Sequence, residues 1–152
     1  MKPVVMLTDA NVFLRFLRND HPQHSPAAKK LIEEAAASRV ILQVPEIVVA
    51  DIFYTLTAPM MKIPRALAAR QLAALLQQPG IDVENRNRVF NILALCESRD
   101  VDYGDAALMV AAHGATQKLP ILTYDKDFTG VPDLTAFSPI EWLQKGHKLL
   151  RQ

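Results

Sequence analysis

The fold is decided by the stretch Val4-Val5-Met6-Leu7-Thr8-Asp9 near the start of the chain. Its first four residues are apolar and uninterrupted, which predicts a short strand buried in a parallel sheet. Further runs of strand length follow, separated by longer stretches of helical composition. They are Val40-Ile41-Leu42-Gln43-Val44, Ile81-Asp82-Val83, Pro120-Ile121-Leu122-Thr123 and, as a possible fifth strand, Leu134-Thr135-Ala136-Phe137.

Helices are predicted over residues 11–17, 25–37, 45–57, 64–78, 85–98, 103–117 and 139–144, with Ser25, Asn85 and Ser138 as N-caps. Strands that alternate with helices indicate a parallel sheet covered on both faces. The sequence therefore predicts a three-layer α/β/α sandwich with a central, mainly parallel sheet of four to five strands. We expect a single domain over residues 1–152, in which residues 145–152 form a basic tail.

Composition excludes several classes of protein. Half of the 152 residues are apolar and 22% are charged, which argues against disorder. No apolar run is long enough to span a membrane, so no membrane partner is expected. The single cysteine, Cys96, excludes an internal disulfide, is interpreted as a core residue, and favours a reducing compartment, so we expect a cytoplasmic protein. The histidines are not spaced as zinc ligands, and no glycine-rich phosphate loop is present.

Two aspartates directly follow predicted strands. Asp9 ends the first strand and Asp125 the fourth, and parallel strands bring their carboxyl ends to one edge of the sheet, where such folds bind ligands. Each aspartate alone could simply cap the next helix. Two aspartates at matching positions of parallel strands favour a ligand-binding site instead.

Two more aspartates lie within predicted helices. Asp51 has Ile47, Val48, Tyr54 and Thr55 as its helical neighbours, mostly an apolar stripe, so a carboxylate there needs a cation or, as the alternative, a buried salt bridge to an arginine. Asp105 is the third helical residue if Asp102 is the N-cap of its helix. The alternative for Asp105 is a reciprocal capping partner.

If Asp9, Asp51, Asp105 and Asp125 converge, their charges repel one another, and a divalent cation would relieve the repulsion. Oxygen ligands select hard ions such as Mg²⁺ or Mn²⁺. The usual chemistry of such a site is phosphodiester hydrolysis by metal-activated water.

Four segments together resemble the PIN-domain family, of the type found as VapC-like toxins in prokaryotic toxin–antitoxin pairs. The resemblance runs from Val4 to about Phe137. Any one match is weak, but all four occur in order at suitable spacing. The segments are Leu7-Thr8-Asp9-Ala10-Asn11-Val12-Phe13-Leu14-Arg15-Phe16-Leu17, Val44-Pro45-Glu46-Ile47-Val48-Val49-Ala50-Asp51, Val101-Asp102-Tyr103-Gly104-Asp105-Ala106 and Ile121-Leu122-Thr123-Tyr124-Asp125-Lys126-Asp127-Phe128.

The resemblance implies a Mg²⁺- or Mn²⁺-dependent endoribonuclease whose acidic pocket is lined by the four aspartates. Asp9, Asp105 and Asp125 would hold the metal. Asp51 would reach it through water rather than directly, because the family usually has the longer Glu at that position. The matches at Pro45 and Ala50 set this register, so Glu46 is not the counterpart. Thr8, Asn11 and Thr123 would support the acids by hydrogen bonds. Asp102 and Asp127 are interpreted as a cap or a solvated charge.

The resemblance also implies partners: an RNA substrate, a cognate antitoxin and a second copy in a homodimer. Single-stranded or loop RNA is the expected target, because its phosphates and bases can enter a cleft. A hydrophobic groove for the antitoxin is expected at Phe53, Tyr54, Met60 and Met61, for which core packing is the alternative. The basic residues proposed to hold RNA, with a solvated surface charge as the alternative for each, are Arg15, Arg18, Arg65, Arg70, Arg86, Arg88 and Lys126.

Two other functions stay open at this point. One is a catalytically silent PIN domain that binds RNA or protein. The other is a phosphatase with Asp9 as nucleophile, which is disfavoured because no second aspartate stands two residues on. The net charge of +1 does not exclude RNA, since setting the four acids aside leaves 17 basic residues against 12 acidic ones.

Overall fold

The computed structural model describes residues 2–114, 118–146 and 148. Most of the expected C-terminal tail, and the end of the helix predicted to reach Gln117, lie outside the described residues. Contacts divide the chain into two compact units, Met1–Tyr103 and Gly104–Gln152. Each unit is described by itself.

The first unit contains a three-stranded parallel sheet. Its strands are β1 (Val4–Leu7), β2 (Val40–Val44) and β3 (Ile81–Val83), in the order β1-β2-β3. Val4 pairs with Val40, and Leu42 pairs with Ile81. The first three predicted strands are thereby confirmed, with the bounds that the sequence predicts.

The expectation that β1 is a buried strand is wrong in this unit. All four of its residues are exposed, with 52% for Val5 and 76% for Leu7, whereas Leu42 in β2 is fully buried. Edge position alone is not the reason, because β3 forms the other edge of the sheet and its Ile81 and Val83 are buried. The difference lies in which side chains pack against each strand. Apolar composition predicts a strand, but it does not show whether other elements pack against that strand and bury it.

Five helices lie between these strands or follow them along the chain. The side chains on the inward faces of these helices form the core of the unit. The core side chains include Phe13, Phe53 and Leu72, which are fully buried. Cys96 is also buried, as predicted. The helices are α1 (Ala10–Arg18), α2 (His24–Ala36), α3 (Glu46–Leu56), α4 (Arg65–Leu76) and α5 (Arg86–Arg99).

Two predicted helix caps differ from the structure. Ser25 lies inside α2, and its hydroxyl accepts the His21 backbone N–H at 3.1 Å, while the His21 ring nitrogen Nδ1 accepts the N–H of His24 at 2.9 Å. Asn85 does precede α5, but its backbone is left-handed and its side chain makes no capping bond, because the amide donates to Glu46 Oε2 at 3.0 Å instead. In both cases the side chain bonds to another polar group and does not make the predicted capping hydrogen bond.

The second unit contains a two-stranded parallel sheet made of β4 (Ile121–Leu122) and β5 (Ala136–Phe137). Both strands are shorter than predicted. A 3-10 turn, Lys126–Phe128, lies between them, and α6 (Tyr103–Gly114) precedes them. After β5, α7 (Pro139–Glu141) begins with the predicted Ser138 cap, whose hydroxyl accepts the Glu141 N–H at 3.1 Å, and a π-helical turn follows over Trp142–Gly146.

The predicted α/β class with parallel pairing is confirmed. Every strand pair among the described residues is parallel, and the strands alternate with helices along the chain. Within the described part of the chain, no helix combines the length and the apolar character needed to cross a membrane.

Candidate metal centre

Asp125 lies in a tightly bonded turn directly after β4. Its backbone N–H donates to the Thr123 hydroxyl at 2.9 Å, and its Oδ1 accepts the backbone N–H of Asp127 at 2.9 Å. The turn is anchored by Phe128, which is fully buried. Asp125 therefore does cap the 3-10 turn, as the capping alternative predicted, and its carboxylate is oriented by that bond.

The second unit brings three carboxylates together. Asp105, Asp125 and Asp127 each offer one oxygen atom, and these atoms lie within 4.8 Å of one another. Asp105 is half-buried as the third residue of α6, and the other two are exposed. A carboxylate has two oxygens, so the bond from the Asp127 N–H to Oδ1 of Asp125 leaves Oδ2 of Asp125 for another ligand.

An all-oxygen set of this kind fits a hard divalent cation. Mg²⁺ and Mn²⁺ prefer carboxylate oxygens, and Mg²⁺ is commonly held by one or two carboxylates while its other positions are filled by water and phosphate. Three clustered negative charges also attract a divalent ion more strongly than they would a single positive side chain. The donor atoms of Asp105, Asp125 and Asp127 therefore fit such an ion.

Sequence reasoning found two members of this cluster and missed the third. Asp125 is a candidate because it directly follows the fourth predicted strand, and Asp105 is one because it is the third residue of its predicted helix. Asp127 was interpreted as a cap or a solvated charge. The signal that could have found it is the Asp-x-Asp spacing after a strand, since a tight turn at that point folds the second carboxylate back toward the first.

Asp9 stands where the sequence predicts, just after β1. It is exposed at the N-cap position of α1, but its side chain makes no capping hydrogen bond. The cap alternative is therefore not realised for Asp9. Its carboxylate remains available at the carboxyl end of β1 within the first unit.

The prediction that Asp51 is a carboxylate on a buried apolar stripe is wrong. Asp51 is exposed on α3, and so are its apolar neighbours Ile47, at 69%, and Tyr54. The buried face of α3 is the opposite one, which carries Ile52 and Phe53. Because α3 is apolar on nearly all sides, its composition could not show which side packs inward. Asp9 and Asp51 belong to the first unit, and the convergence of all four acids stays a prediction.

The three expected supporting residues have different surroundings. Thr123 supports Asp125 directly through the bond described above. Thr8 is buried, but its hydroxyl donates to the Met6 carbonyl oxygen at 3.3 Å. Asn11 is exposed and lines a pocket of about 450 Å³ beside α2.

Glu46 has a structural environment distinct from that of Asp51. Its carboxylate binds Arg88 Nε at 3.1 Å and the Asn85 amide at 3.0 Å, which joins the start of α3 to the start of α5. Nearby, the hydroxyl of Tyr103 is buried and has no hydrogen-bond partner in the described part of the chain. Burial, and then the Glu46 carboxylate, raise the pKa of Tyr103 above its usual value.

Most of the arginines proposed to hold RNA make contacts within the first unit. Arg18 pairs with Asp20 at 3.0 Å, and Arg86 lies over the Phe90 ring at 4.8 Å. These are exposed contacts of small energy, and a guanidinium has five hydrogen-bond donors, so donors are left for phosphate.

The prediction that Phe53 lines a hydrophobic groove is wrong, because Phe53 is a fully buried core residue. Tyr54 and Met60, which were expected in the same groove, are exposed.

Comparison with protein families decides the family of this chain. The model of the PIN domain matches residues 6–134, most of the chain and all of the aspartates discussed above. The chain belongs to the PIN-domain family. PIN domains are generally nucleases and typically use a divalent metal, in agreement with the carboxylate cluster of the second unit. Comparison with curated proteins gave no match.

Proposed function

We propose that this PIN domain is a Mg²⁺- or Mn²⁺-dependent endoribonuclease. The observation that carries the proposal is the cluster of Asp105, Asp125 and Asp127 within a domain whose family generally has nuclease activity. Oxygen ligands at this spacing suit the cation that phosphodiester hydrolysis by a bound water requires.

The roles of the residues follow from their positions. Asp105 and Asp125 would hold the cation, which supplies a more acidic bound water and stabilises charge on the leaving oxygen. Thr123 keeps the Asp125 backbone in place, so its carboxylate is oriented before the cation arrives. Asp9, whose side chain makes no capping bond, is proposed as a further metal ligand, and Asp51 as the residue that positions the attacking water.

RNA is proposed as the substrate because the chain combines acidic clusters with a basic remainder. Outside the four aspartates predicted from the sequence, basic residues outnumber acidic ones by 17 to 12. Such a surface attracts a phosphate backbone, and a bound cation would offset the acidic centre itself. Exposed arginines such as Arg65 and Arg70 would contact the phosphates.

We further propose that the protein is the toxin of a toxin–antitoxin pair and forms a homodimer in the cytoplasm. The support is the resemblance of its four motifs to VapC-like toxins. Exposed apolar side chains, among them Tyr54 and Met60, would suit contact with a partner protein. Co-expression with the adjacent reading frame tests this role: a small copurifying partner and growth inhibition by the chain alone are expected, and the absence of both would contradict it.

The nuclease proposal is tested with purified protein and single-stranded RNA. Cleavage is expected with Mg²⁺ or Mn²⁺, and it should stop with EDTA and in the Asp105→Asn variant. Asp133→Asn is the matched control, because Asp133 is an exposed acid of the same unit that pairs with Lys118 at 3.5 Å. Cleavage that persists in EDTA, or equal cleavage by Asp105→Asn, would show that the metal-dependent assignment is wrong.

A catalytically silent binding module is the second candidate, because Asp51 is one methylene shorter than the usual Glu of the family. In that case the wild-type protein binds RNA but does not cleave it, whichever divalent cation is added. The Asp51→Glu variant separates the two: it should gain cleavage if the shorter side chain alone limits the reaction.

A further inference from the structure

We propose that the start of α5 carries a binding site for a phosphate group, whose donors Glu46 occupies in the free protein as an internal competitor. Arg88 and Asn85 hold the Glu46 carboxylate, and an incoming phosphate would take over these two side chains. The displaced carboxylate would then accept the buried Tyr103 hydroxyl. All four residues belong to the first unit, and the site needs neither the cation nor any step of the proposed function.

The pocket at the start of α5 has the donors that an anion requires. It has a volume of about 410 Å³ and is lined by the exposed residues Asn85, Arg86, Asn87 and Arg88. These side chains offer two guanidinium groups and two amides, and none of them carries a negative charge. The first turn of α5 also has no acidic residue, although the helix dipole favours one there. Basic side chains at a helix start suit a phosphate instead.

Glu46 shows that two of these side chains already bind an anionic group. Arg88 Nε lies 3.1 Å from Oε1 of Glu46, and the Asn85 amide donates to Oε2 at 3.0 Å, so each carboxylate oxygen has its own donor. The Arg88 side chain is 50% exposed and that of Glu46 is 20% exposed. A phosphate can therefore reach the guanidinium from the solvent while the carboxylate is still bound to it.

Tyr103 has an unsatisfied buried hydroxyl beside this pair. Only 5% of the residue is exposed, and its hydroxyl has no hydrogen-bond partner in the described part of the chain. Burial and then the Glu46 carboxylate raise the pKa of this hydroxyl, while Arg88 acts in the opposite direction. Because charge effects weaken with distance, the hydroxyl faces the pair of Glu46 and Arg88. A buried donor that faces a carboxylate without bonding to it indicates a second position for that carboxylate.

The exchange leaves no polar group worse off than before. A buried donor without a partner is unfavourable, and a hydrogen bond from Tyr103 to a carboxylate would remove that cost. The half-exposed ion pair of Glu46 and Arg88 contributes little stability by itself. A phosphate monoester carries more negative charge than one carboxylate, so it competes well for the guanidinium. The ligand is thus defined by its phosphate group, which free phosphate, a nucleotide and an RNA chain all contain.

The test measures binding to the full-length protein in EDTA by isothermal titration calorimetry. The ligands are inorganic phosphate, adenosine 5′-monophosphate and a short single-stranded RNA. The variants are Arg88→Gln, Glu46→Ala, Tyr103→Phe and the double variant with Glu46→Ala and Tyr103→Phe. Arg39→Gln is the matched control, because Arg39 is an exposed arginine of the same unit that pairs with Glu34 and does not line the pocket. Circular dichroism verifies that each variant folds.

We expect Arg88→Gln to weaken binding at least about tenfold and Glu46→Ala to strengthen it by a similar factor, with Arg39→Gln unchanged. Tyr103→Phe should weaken binding about threefold or more, because the displaced carboxylate then has no partner. In the Glu46→Ala background the same change should have no effect, since no carboxylate has to be accommodated. Among the ligands, equal affinities indicate free phosphate, and tighter binding of the nucleotide or the RNA identifies that molecule as the source.

Three results overturn the proposal. If none of the ligands binds to the wild type or to Glu46→Ala, the start of α5 is not a phosphate site. If Arg88→Gln and Arg39→Gln weaken binding equally, the attraction comes from surface charge in general. If Tyr103→Phe has the same effect with and without Glu46, the hydroxyl is not the second partner of that carboxylate. Each of these results leaves the proposed nuclease intact, because cation-dependent cleavage is measured separately.

Discussion

The backbone N–H of Asp127 donates a 2.9 Å hydrogen bond to Oδ1 of Asp125, two residues earlier in the chain. This bond closes the turn after β4 and keeps the two side chains on the same side of it. Asp105 contributes the third oxygen from α6. The arrangement of the centre therefore depends on a local turn as much as on the sheet.

Thr123→Val should weaken metal binding because it removes the hydroxyl that accepts the Asp125 N–H. Without that bond the turn that presents the carboxylate becomes more mobile, so we expect Mn²⁺ affinity to fall about tenfold. Thr123→Ser keeps the hydroxyl and should bind Mn²⁺ like the wild type. Titrations of both variants check this. A loss of affinity in Thr123→Ser with none in Thr123→Val would show that the methyl group, which Val keeps, matters rather than the hydrogen bond.

Tyr103→Phe should leave the stability unchanged or raise it by up to about 1 kcal/mol. The Tyr103 hydroxyl is buried with no hydrogen-bond partner in the described part of the chain, and an unsatisfied buried polar group is costly. Tyr103→Ala is the comparison, and we expect it to lower the free energy of unfolding by about 3–5 kcal/mol through lost packing. Urea denaturation measures both, and a clear destabilisation by Phe would mean that the hydroxyl has a partner such as an ordered water.

Acidification should destabilise the protein through His21. Desolvation, followed by the His24 ring and Arg15, lowers the pKa of His21 below its usual 6.5, and Asp20 offsets part of this. A lowered pKa in the folded state means that protonation favours unfolding. The stabilisation is therefore complete above pH 6.5 and is lost as the pH falls toward the folded-state pKa.

The geometry explains the preference for neutral His21. Its ring stacks on His24 with centroids 3.9 Å apart, and its Nδ1 accepts two backbone N–H groups, which protonation of that nitrogen would prevent. In His21→Asn the fall in melting temperature between pH 7.5 and pH 5 should be smaller than in the wild type. His113→Asn, at an exposed position of α6, serves as the control and should keep the wild-type pH dependence.

Gly80→Ala should be strongly destabilising. Gly80 has a φ of +82°, and a Cβ there would collide with the backbone carbonyl of Ala35 at the end of α2. Gly130 is the matched comparison, since its φ is +73° but a Cβ would meet nothing within 4 Å. Gly130→Ala should cost only the left-handed strain of about 1–2 kcal/mol, and Gly80→Ala distinctly more. Equal losses in chemical denaturation would contradict the role of the close approach to Ala35.

Much of the fold could be predicted because its signals are local. The apolar runs at Val4, Val40 and Ile81 begin strands at those same residues, and the alternation with helices correctly indicated parallel pairing. The family followed from four motifs in order, which the match over residues 6–134 confirms. Asp125 could be singled out because it directly follows a strand, and Asp105 because it is the third residue of a helix.

The sequence by itself determined the class of the fold, the family and two of the three clustered acids, since these depend on spacing along the chain. Only the tertiary structure decided that β1 is an exposed edge strand of its unit, that Asp51 lies on the outer side of α3, and that Asp127 joins Asp105 and Asp125. The physical reason is the same in each case. Burial and the contacts between side chains depend on neighbours distant in sequence or on the closing of a turn. Residues of similar hydrophobicity are therefore buried or exposed according to what packs against them.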